Sequence, residues 1–398
     1  MLKVLRIINR LNLGGPTLNV AYLSKHLQPE FETRILSGKR GKEEMNSAFI
    51  IREMGIKPFY IPQMRRDISP MRDRLAFRKI RRIIREYRPH IVHTHAAKAG
   101  TVGRYAAIKE KVPVVVHTFH GHIFHSYFNK LKTNVYLNIE RFLARRTDCI
   151  IAISELQKRE LTEEHHICEP DRVEVIPLGF DLDRFQQDVP EKRQRFREKF
   201  RLADDEVAIG IIGRIVPIKN HELFVRALAN VSGKTSKKVR AFIIGDGERK
   251  RSVELLASSL GIGIARGNPP DKVMPLTFTS WMTGIDEVAA GLDIIALTSL
   301  NEGTPVSLIE AQAANKPIVS TRVGGIEDVV LEGATAWLSD VDDLEGFSDN
   351  LLRVVEGNGR EGHLERGYEF VNARFNYLRL VEDTRKLYHR LLSEKGIT

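Results

Sequence analysis

The segment SLNEGTPVSLIEAQAANKPIVSTRVGG, residues 299–325, holds two carboxylates, Glu302 and Glu310, with seven residues between them. The turn-forming run Gly303-Thr304-Pro305 stands after the first acid, and Val306 opens an apolar helical run. A loop ending at a helix amino terminus offers unpaired backbone N–H groups and a positive dipole end, which suits a phosphate oxygen. A carboxylate before such a turn and another inside the helix can each accept hydrogen bonds from sugar hydroxyls. An ordinary β-loop-α crossover with an acid near its start has the same spacing, so these residues alone leave both readings open.

Other chemistry-bearing groups are more ambiguous. Arg214 and Lys219, in GRIVPIK, follow the strand-like AIGIIG; they read as loop residues, but at the carboxyl edge where open parallel sheets bind ligands. Six histidines (93, 95, 117, 120, 122 and 125) crowd a short span, with His93 and His95 at strand spacing on one face. Zinc would want such imidazoles, but no cysteine joins them and the reading expects no metal. Asp181-Leu182-Asp183 forms a DxD triplet of the kind that holds divalent ions elsewhere; acids near turns are common, and metal dependence is not expected from it. Gly245-Asp246-Gly247 begins a dinucleotide fingerprint, but Lys250 stands where its third glycine should fall. Trp281 could stack on a base or simply belong to a core. Gly14-Gly15 precede a helical pattern (Leu18, Tyr22, Leu23, Leu27), and their missing side chains would allow close approach to a ligand.

The elements that must position these groups alternate between strand-like apolar runs and helical patterns. LKVLRIIN, HIVHTH, PVVVHTFH, DCIIAIS and RVEVIPL form one set; VAIGIIGRI, VRAFIIGDG, DIIALTS and PIVSTRVGG form a second. Such alternation predicts parallel sheets covered by helices on both faces. A length of 398 residues fits two such domains. The charged stretch EKRQRFREKFRLADDE, residues 191–206, reads as their boundary region. At the carboxyl end Tyr377, Leu380, Val381, Thr384, Leu387, Tyr388, Leu391 and Leu392 form a helical stripe that needs a burial partner.

Composition narrows the class. A 42% hydrophobic and 28% charged content is globular, and two cysteines, Cys149 and Cys168, exclude a disulfide framework and fit a reducing compartment. MLKVLRIINRL is broken by Lys3, Arg6 and Arg10, so it reads as a buried strand rather than a secretory leader, and no run approaches the length of a membrane span. The net charge of +11 is uneven: residues 1–200 carry 38 basic against 23 acidic side chains, and residues 201–398 carry 24 against 28. Much of the excess lies between Arg65 and Arg88, where Ala76, Ile80, Ile83, Ile84 and Tyr87 repeat at helical spacing among arginines. That face is either simply solvated or attracted to an anionic bilayer or pyrophosphate-bearing acceptor; no nucleic-acid recognition motif accompanies it.

The 299–325 stretch resembles the signature of retaining glycosyltransferases of family 4, which have the GT-B architecture: two Rossmann-like doubly wound α/β domains facing across a cleft. GLDIIALTS, EAQAANKPIVST, Gly324-Gly325, GRIVPIKN, IIGDGE, PLGFDLDRF, HIVHTHAAKAG, VVHTFHGHIF and Gly14-Gly15 extend the resemblance, in the family's order, over nearly the whole chain. By that resemblance Glu302 matches the acid on the transferred sugar and Glu310 the acid on the nucleotide ribose. Gly303, Thr304, Pro305 and Val306 match the turn whose amides approach the sugar and distal phosphate. Arg214 and Lys219 match the basic pair on the diphosphate, where fixed cations stabilise the charge that grows on a leaving pyrophosphate. His120, ending PVVVHTF, matches the histidine beside the donor sugar, and Gly15 belongs to the donor-approaching glycine pair. The chain departs from the family in having no acid at Pro16, Thr17 or Leu18, and in having Asn315 where a glycine usually ends the helix.

The resemblance implies an acceptor-binding domain over 1–178, a nucleotide-sugar-binding domain over 179–376 and a helix over 377–398 that returns to the first domain. It implies a cytoplasmic, metal-independent retaining hexosyltransferase with no cofactor. The donor would be a nucleotide diphosphate sugar, with UDP favoured; the acceptor would be a hydroxyl, in lipid-linked form if the basic helix rests peripherally on an anionic membrane. The alternatives are an epimerase or sugar phosphorylase of the same architecture, or a non-catalytic binder of anionic glycolipid.

Overall fold

The computed structural model describes all residues except 12–14, 39–50, 53, 66–68, 121–129, 358–364 and 398. Gly14, His122 and His125 therefore lie outside the described residues. Two compact units emerge: Met1–Phe180 with Phe375–Thr398, and Asp181–Arg374.

The first unit runs β1 (Leu2–Ile8), α1 (Gly15–His26), β2 (Phe31–Gly38), β3 (Phe59–Ile61), α2 (Pro70–Tyr87), β4 (Ile91–His95), α3 (Ala97–Lys109), β5 (Val114–Thr118), α4 (Lys130–Ala144), β6 (Cys149–Ala152), α5 (Glu155–Arg159) and β7 (Val173–Val175). Its seven strands are parallel in the order β3-β2-β1-β4-β5-β6-β7. Every residue of β4, β5 and β6 is buried, as expected where helices cover both faces of a sheet.

In the second unit come α6 (Val189–Lys199), β8 (Glu206–Ile212), α7 (His221–Ser232), β9 (Lys238–Ile244), α8 (Lys250–Ser259), β10 (Ile264–Arg266), β11 (Leu276–Ser280), α9 (Ile285–Gly291), β12 (Ile294–Leu297), α10 (Val306–Ala313), β13 (Ile318–Thr321), β14 (Ala336–Ser339), α11 (Leu344–Val355) and α12 (Glu365–Phe375). Its sheet has the order β10-β11-β9-β8-β12-β13-β14. In each sheet the chain leaves the first strand toward one edge and later returns to build the other side. The switch points lie between β1 and β4, and between β8 and β12, where crevices open at the strands' carboxyl ends.

The last helix, α13 (Tyr377–Glu394), supplies the stripe anticipated from sequence. Leu380, Val381, Leu387, Tyr388, Leu391 and Leu392 bury against Val4, Leu23, Phe31, Val114 and Val116 of the first unit. Each such side chain contributes about 1.5–3 kcal/mol of burial. Backbone bonds from Phe180 N to Phe375 O (2.7 Å) and from Tyr377 N to Phe180 O (3.0 Å) tie its start to residue 180.

At the centre of this packing Arg6 of β1 is fully buried. Its Nη1 donates to Tyr388 Oη at 2.9 Å and to His93 Nδ1 at 3.0 Å. Tyr388→Phe is expected to lose about 1–3 kcal/mol, because it removes an acceptor from a buried guanidinium. Urea unfolding should show a lower midpoint with an unchanged slope.

One expectation is corrected. The charged run at 191–206 is not the boundary, which falls between Phe180 and Asp181: it forms most of α6, which packs within the second unit, with Phe196 fully buried. Its charges meet acids there, Lys192 with Asp286 (2.9 Å), Arg195 with Glu287 (3.0 Å) and Arg193 with Asp293 (2.8 Å). Charge density in sequence reads as exposure only until partners on a neighbouring helix are known.

Candidate active site

In the second unit the functional groups cluster at the β8/β12 switch point. After β8 the chain passes Gly213 and Arg214 and tightens into a 3₁₀ turn, Pro217–Lys219; after β12 it runs through Ser299 to the start of α10. The two loops are bonded to each other: Leu300 N donates to Ile218 O at 2.8 Å, and Thr298 Oγ1 to Lys219 O at 3.0 Å. This brings the Lys219 ammonium onto Glu302 Oε1 as an ion pair. Ser299 Oγ donates to the same oxygen at 2.6 Å, and Thr321 Oγ1 holds the Ser299 carbonyl at 2.7 Å.

Gly324-Gly325 close over the site from β13. A Cβ on Gly324 would lie 1.9 Å from Glu302 O, and its φ of +52° falls in the left-handed region. Only glycine meets both demands without strain. Gly325 N then donates to Glu302 O at 3.1 Å, fixing the backbone of the acid.

The turn Gly303-Thr304-Pro305 leads into α10 with Pro305 as its N-cap and Val306 as its first residue. Helix bonding begins at Leu308 N, which donates to Pro305 O, so the preceding N–H groups stand at the positive end of the helix. Asn315 follows the helix with φ +52°, the left-handed conformation that glycine usually supplies.

Glu310, one turn into α10, keeps only 15% of its side chain exposed. Burial pushes its carboxyl up to about 7, against the opposing pull of Arg184 and with a further push from Asp286. Arg184 Nη2 lies 3.6 Å from Glu310 Oε1. Of the four charged groups expected together, Lys219 and Glu302 are joined directly, while Glu310 pairs with Arg184. Arg214 is exposed on the Lys219 loop, with no polar side-chain partner among the described residues.

The first unit gathers histidines at its own switch point. His95, the last residue of β4, is fully buried, and its Nδ1 lies 3.0 Å from His120 Nε2. His93, two residues earlier on the same face, has Nδ1 2.7 Å from Tyr388 Oη and Nε2 2.7 Å from Thr118 Oγ1. A guanidinium can only donate, so Arg6 leaves Nδ1 of His93 as an acceptor and its proton on Nε2, facing Thr118. His117 points to the opposite face, 2.8 Å from Thr94 Oγ1, under Gly100 of α3. Burial above all holds His93, His95 and His117 well below the ordinary imidazole range, and His120 down to about 3. All four are neutral at physiological pH. Gly15, the first residue of α1, is buried with no room for a side chain: a Cβ would meet Leu178 Cδ1 at 2.9 Å.

Two family models cover most of the chain: Glycosyltransferase Family 4 matches residues 13–184, and Glycosyl transferases group 1 matches residues 192–367. The chain is a group 1 glycosyltransferase. Among curated relatives it is 27% identical over 342 residues, 85% of each chain, to the UDP-Gal:alpha-D-GlcNAc-diphosphoundecaprenol alpha-1,3-galactosyltransferase of Escherichia coli. It is 24% identical to the putative glycosyltransferase EpsD of Bacillus subtilis, over 83% of this chain and 84% of that one. Among solved structures, Anabaena HepE in complex with UDP superposes with a TM-score of 0.81 at 17% identity, covering 98% of this chain and all of that one. This glycosyltransferase thus has the GT-B fold, each unit being one of its Rossmann-like domains.

Several features of this glycosyltransferase were beyond the sequence. Arg184 sits in the run PLGFDLDRF, but nothing in it signals a carboxylate 126 residues later. Ser299, Thr298 and Thr321 carry no pattern that marks them as supports for Glu302. Asp183 of the DxD triplet accepts from Tyr368 Oη at 2.7 Å, a structural role. Among the described residues no three His, Cys, Asp or Glu side chains converge as a metal-binding group. Asp246 accepts from Ser280 Oγ and from Gly247 N, both at 2.8 Å, and Trp281, which follows Ser280 in the chain, is partly buried.

Proposed function

We propose that this glycosyltransferase moves a hexose-type unit from a UDP-sugar to a hydroxyl acceptor, with retention of anomeric configuration, in cell-envelope polysaccharide or glycolipid synthesis. The observation that carries the reading is the Lys219–Glu302 pair beside the Gly303–Val306 turn: a cation, an acid and helix N–H groups at one switch point. The UDP bound to HepE and the UDP-galactose donor named for the Escherichia coli relative support the choice of base.

In this scheme Glu302 accepts from a hydroxyl of the transferred sugar and Glu310 from the ribose. Arg214, Lys219 and the amides of Gly303, Thr304, Pro305's successor Val306 and their neighbours meet the diphosphate. His120 meets a hydroxyl of the reacting sugar, and Gly15, packed against Leu178, lets the start of α1 approach the donor. The bond from the anomeric carbon to the phosphate oxygen breaks, and its electron pair leaves on UDP. The acceptor oxygen attacks on the same face and gives its proton to that departing phosphate oxygen. No metal or cofactor enters, the cations of the chain stabilising the leaving charge.

The test is to incubate the protein with a panel of UDP-sugars, with and without a prenyl-diphosphate-linked saccharide, and to follow UDP release and product anomeric coupling. Acceptor-dependent release with a retained anomer supports the proposal. Isomerised sugar without acceptor would make it an epimerase, sugar phosphate formed from inorganic phosphate a phosphorylase, and lipid binding without nucleotide binding a non-catalytic binder.

The same reading gives the protein a cytoplasmic setting on an anionic membrane face, with an acceptor carried by lipid. No described helix is long and apolar enough to cross a membrane. On α2, Arg74, Arg78, Lys79, Arg82 and Arg85 are exposed while Ala76, Ile80, Ile84 and Tyr87 are buried. Sedimentation with anionic vesicles is expected to fall as salt rises, because screening weakens such contacts. Salt-independent sedimentation would remove the membrane from the proposal.

A further inference from the structure

We propose that His95 is a positioning residue that sets the tautomer and ring plane of His120, and so decides which hydrogen-bond polarity His120 presents to the reacting sugar. The inference rests on the reading of His120 as a sugar-hydroxyl partner.

The argument is one of proton accounting. Two neutral imidazoles whose nitrogens lie 3.0 Å apart share a single proton on that contact. If it sits on His95 Nδ1, His120 Nε2 accepts, and the remaining proton of His120 must be on Nδ1. If it sits on His120 Nε2, Nδ1 is a bare lone pair. His120 Nδ1 is buried without a partner among the described residues, as is His95 Nε2 on the other ring, so on the reading of His120 as a sugar-hydroxyl partner Nδ1 is its nitrogen still open to a ligand. Its character as donor or acceptor is therefore the complement of what His95 does on the other side of the ring.

His95 is suited to this role by its surroundings. Its ring lies against that of His93, at 4.1 Å between centroids, and meets that of His120 edge to edge through the shared hydrogen bond, at 5.2 Å with planes 27° apart. The ring below cannot turn, since His93 is held at both nitrogens by Arg6, Tyr388 and Thr118. A fixed floor of this kind passes its orientation upward, from strands β1, β4 and β5 and from helix α13 to the loop that bears His120. The carboxyl-terminal helix is thus tied through Tyr388 and His93 to the ring that His120 abuts.

His95→Phe keeps an aromatic ring in the stack and deletes the hydrogen bond; His95→Asn keeps a polar atom near the place of Nδ1. With the full-length protein, turnover of a UDP-sugar is expected to fall about 10- to 100-fold in His95→Phe, with donor KM changed by less than about threefold and near-normal turnover in His95→Asn. Long-range ¹H–¹⁵N spectra of the histidine rings, with the His120 signals assigned by a His120→Asn variant, give a second reading that needs no turnover. One His120 tautomer is expected in the native protein and in His95→Asn, and a mixture in His95→Phe. Unchanged tautomer populations in His95→Phe, or a turnover within about twofold of native, would overturn the inference. Absence of turnover in the native protein would count against the proposed reaction, while the spectra would still decide the role of His95.

Discussion

Lys219→Ala is expected to lower kcat/KM by two to three orders of magnitude, an effect of about 3 kcal/mol. That is the size found where a fixed group stabilising transition-state charge is removed. Two losses combine. On the proposed reaction the departing diphosphate loses the cation held at the end of the Pro217–Lys219 turn, and Glu302, with 11% of its side chain exposed, loses its counter-ion. Glu302 then keeps Ser299 Oγ as its hydrogen-bond donor, which holds the side chain in place without balancing its charge. Because the pair acts as a unit, Lys219→Ala combined with Glu302→Gln should be little worse than either alone. Arg214→Ala offers a contrast: exposed, with no polar side-chain partner among the described residues, it should lose turnover with unchanged thermal stability. Steady-state kinetics beside calorimetric binding of UDP check all of these, and near-normal turnover in Lys219→Ala would reject the assignment.

Glu310→Gln is expected to change how stability depends on pH. A carboxyl raised from its usual 4.5 to about 7 binds a proton more tightly folded than unfolded. Its contribution is fully present below about pH 4.5 and is lost as pH climbs through about 7, a loss of about 3 kcal/mol. The glutamine variant should match the native protein near pH 4.5 and exceed its stability at pH 8, as read by denaturant unfolding at both values. Ligand binding should mirror this. In the proposed donor complex ribose hydroxyls donate to Glu310 and favour its ionised form, so UDP binding should release a proton below about pH 7 and strengthen as pH rises toward it. Glu310→Gln should remove that slope. A flat native profile would show that Glu310 is ionised throughout or faces no hydroxyl.

These two acids also mark how far the sequence could be read. The spacing of Glu302 and Glu310 around a turn-forming run was visible, because one loop and one helix start carry them both and local geometry needs no long-range information. The alternation of strands and helices was equally plain, since parallel strands buried on both faces read as continuous apolar runs. The α13 stripe announced a burial partner through its own periodicity. By contrast, the charged run of α6 misled, because its lysine and arginines find acids on α9 and before β12, about 95 residues away.

The order of apolar runs, the glycine pairs Gly14-Gly15 and Gly324-Gly325, and the acids around the turn were thus determined by the chain's own local pattern, together with the family it resembles. Tertiary structure alone decided that Lys219 meets Glu302, that Arg184 reaches Glu310, and that Arg6 and Tyr388 lock the imidazoles beside His120. The reason is physical. Periodicity and turn chemistry act over a few residues and leave a mark in the sequence, whereas a charge pair joins loops from different strands and exists only once the sheet order has brought their carboxyl ends side by side.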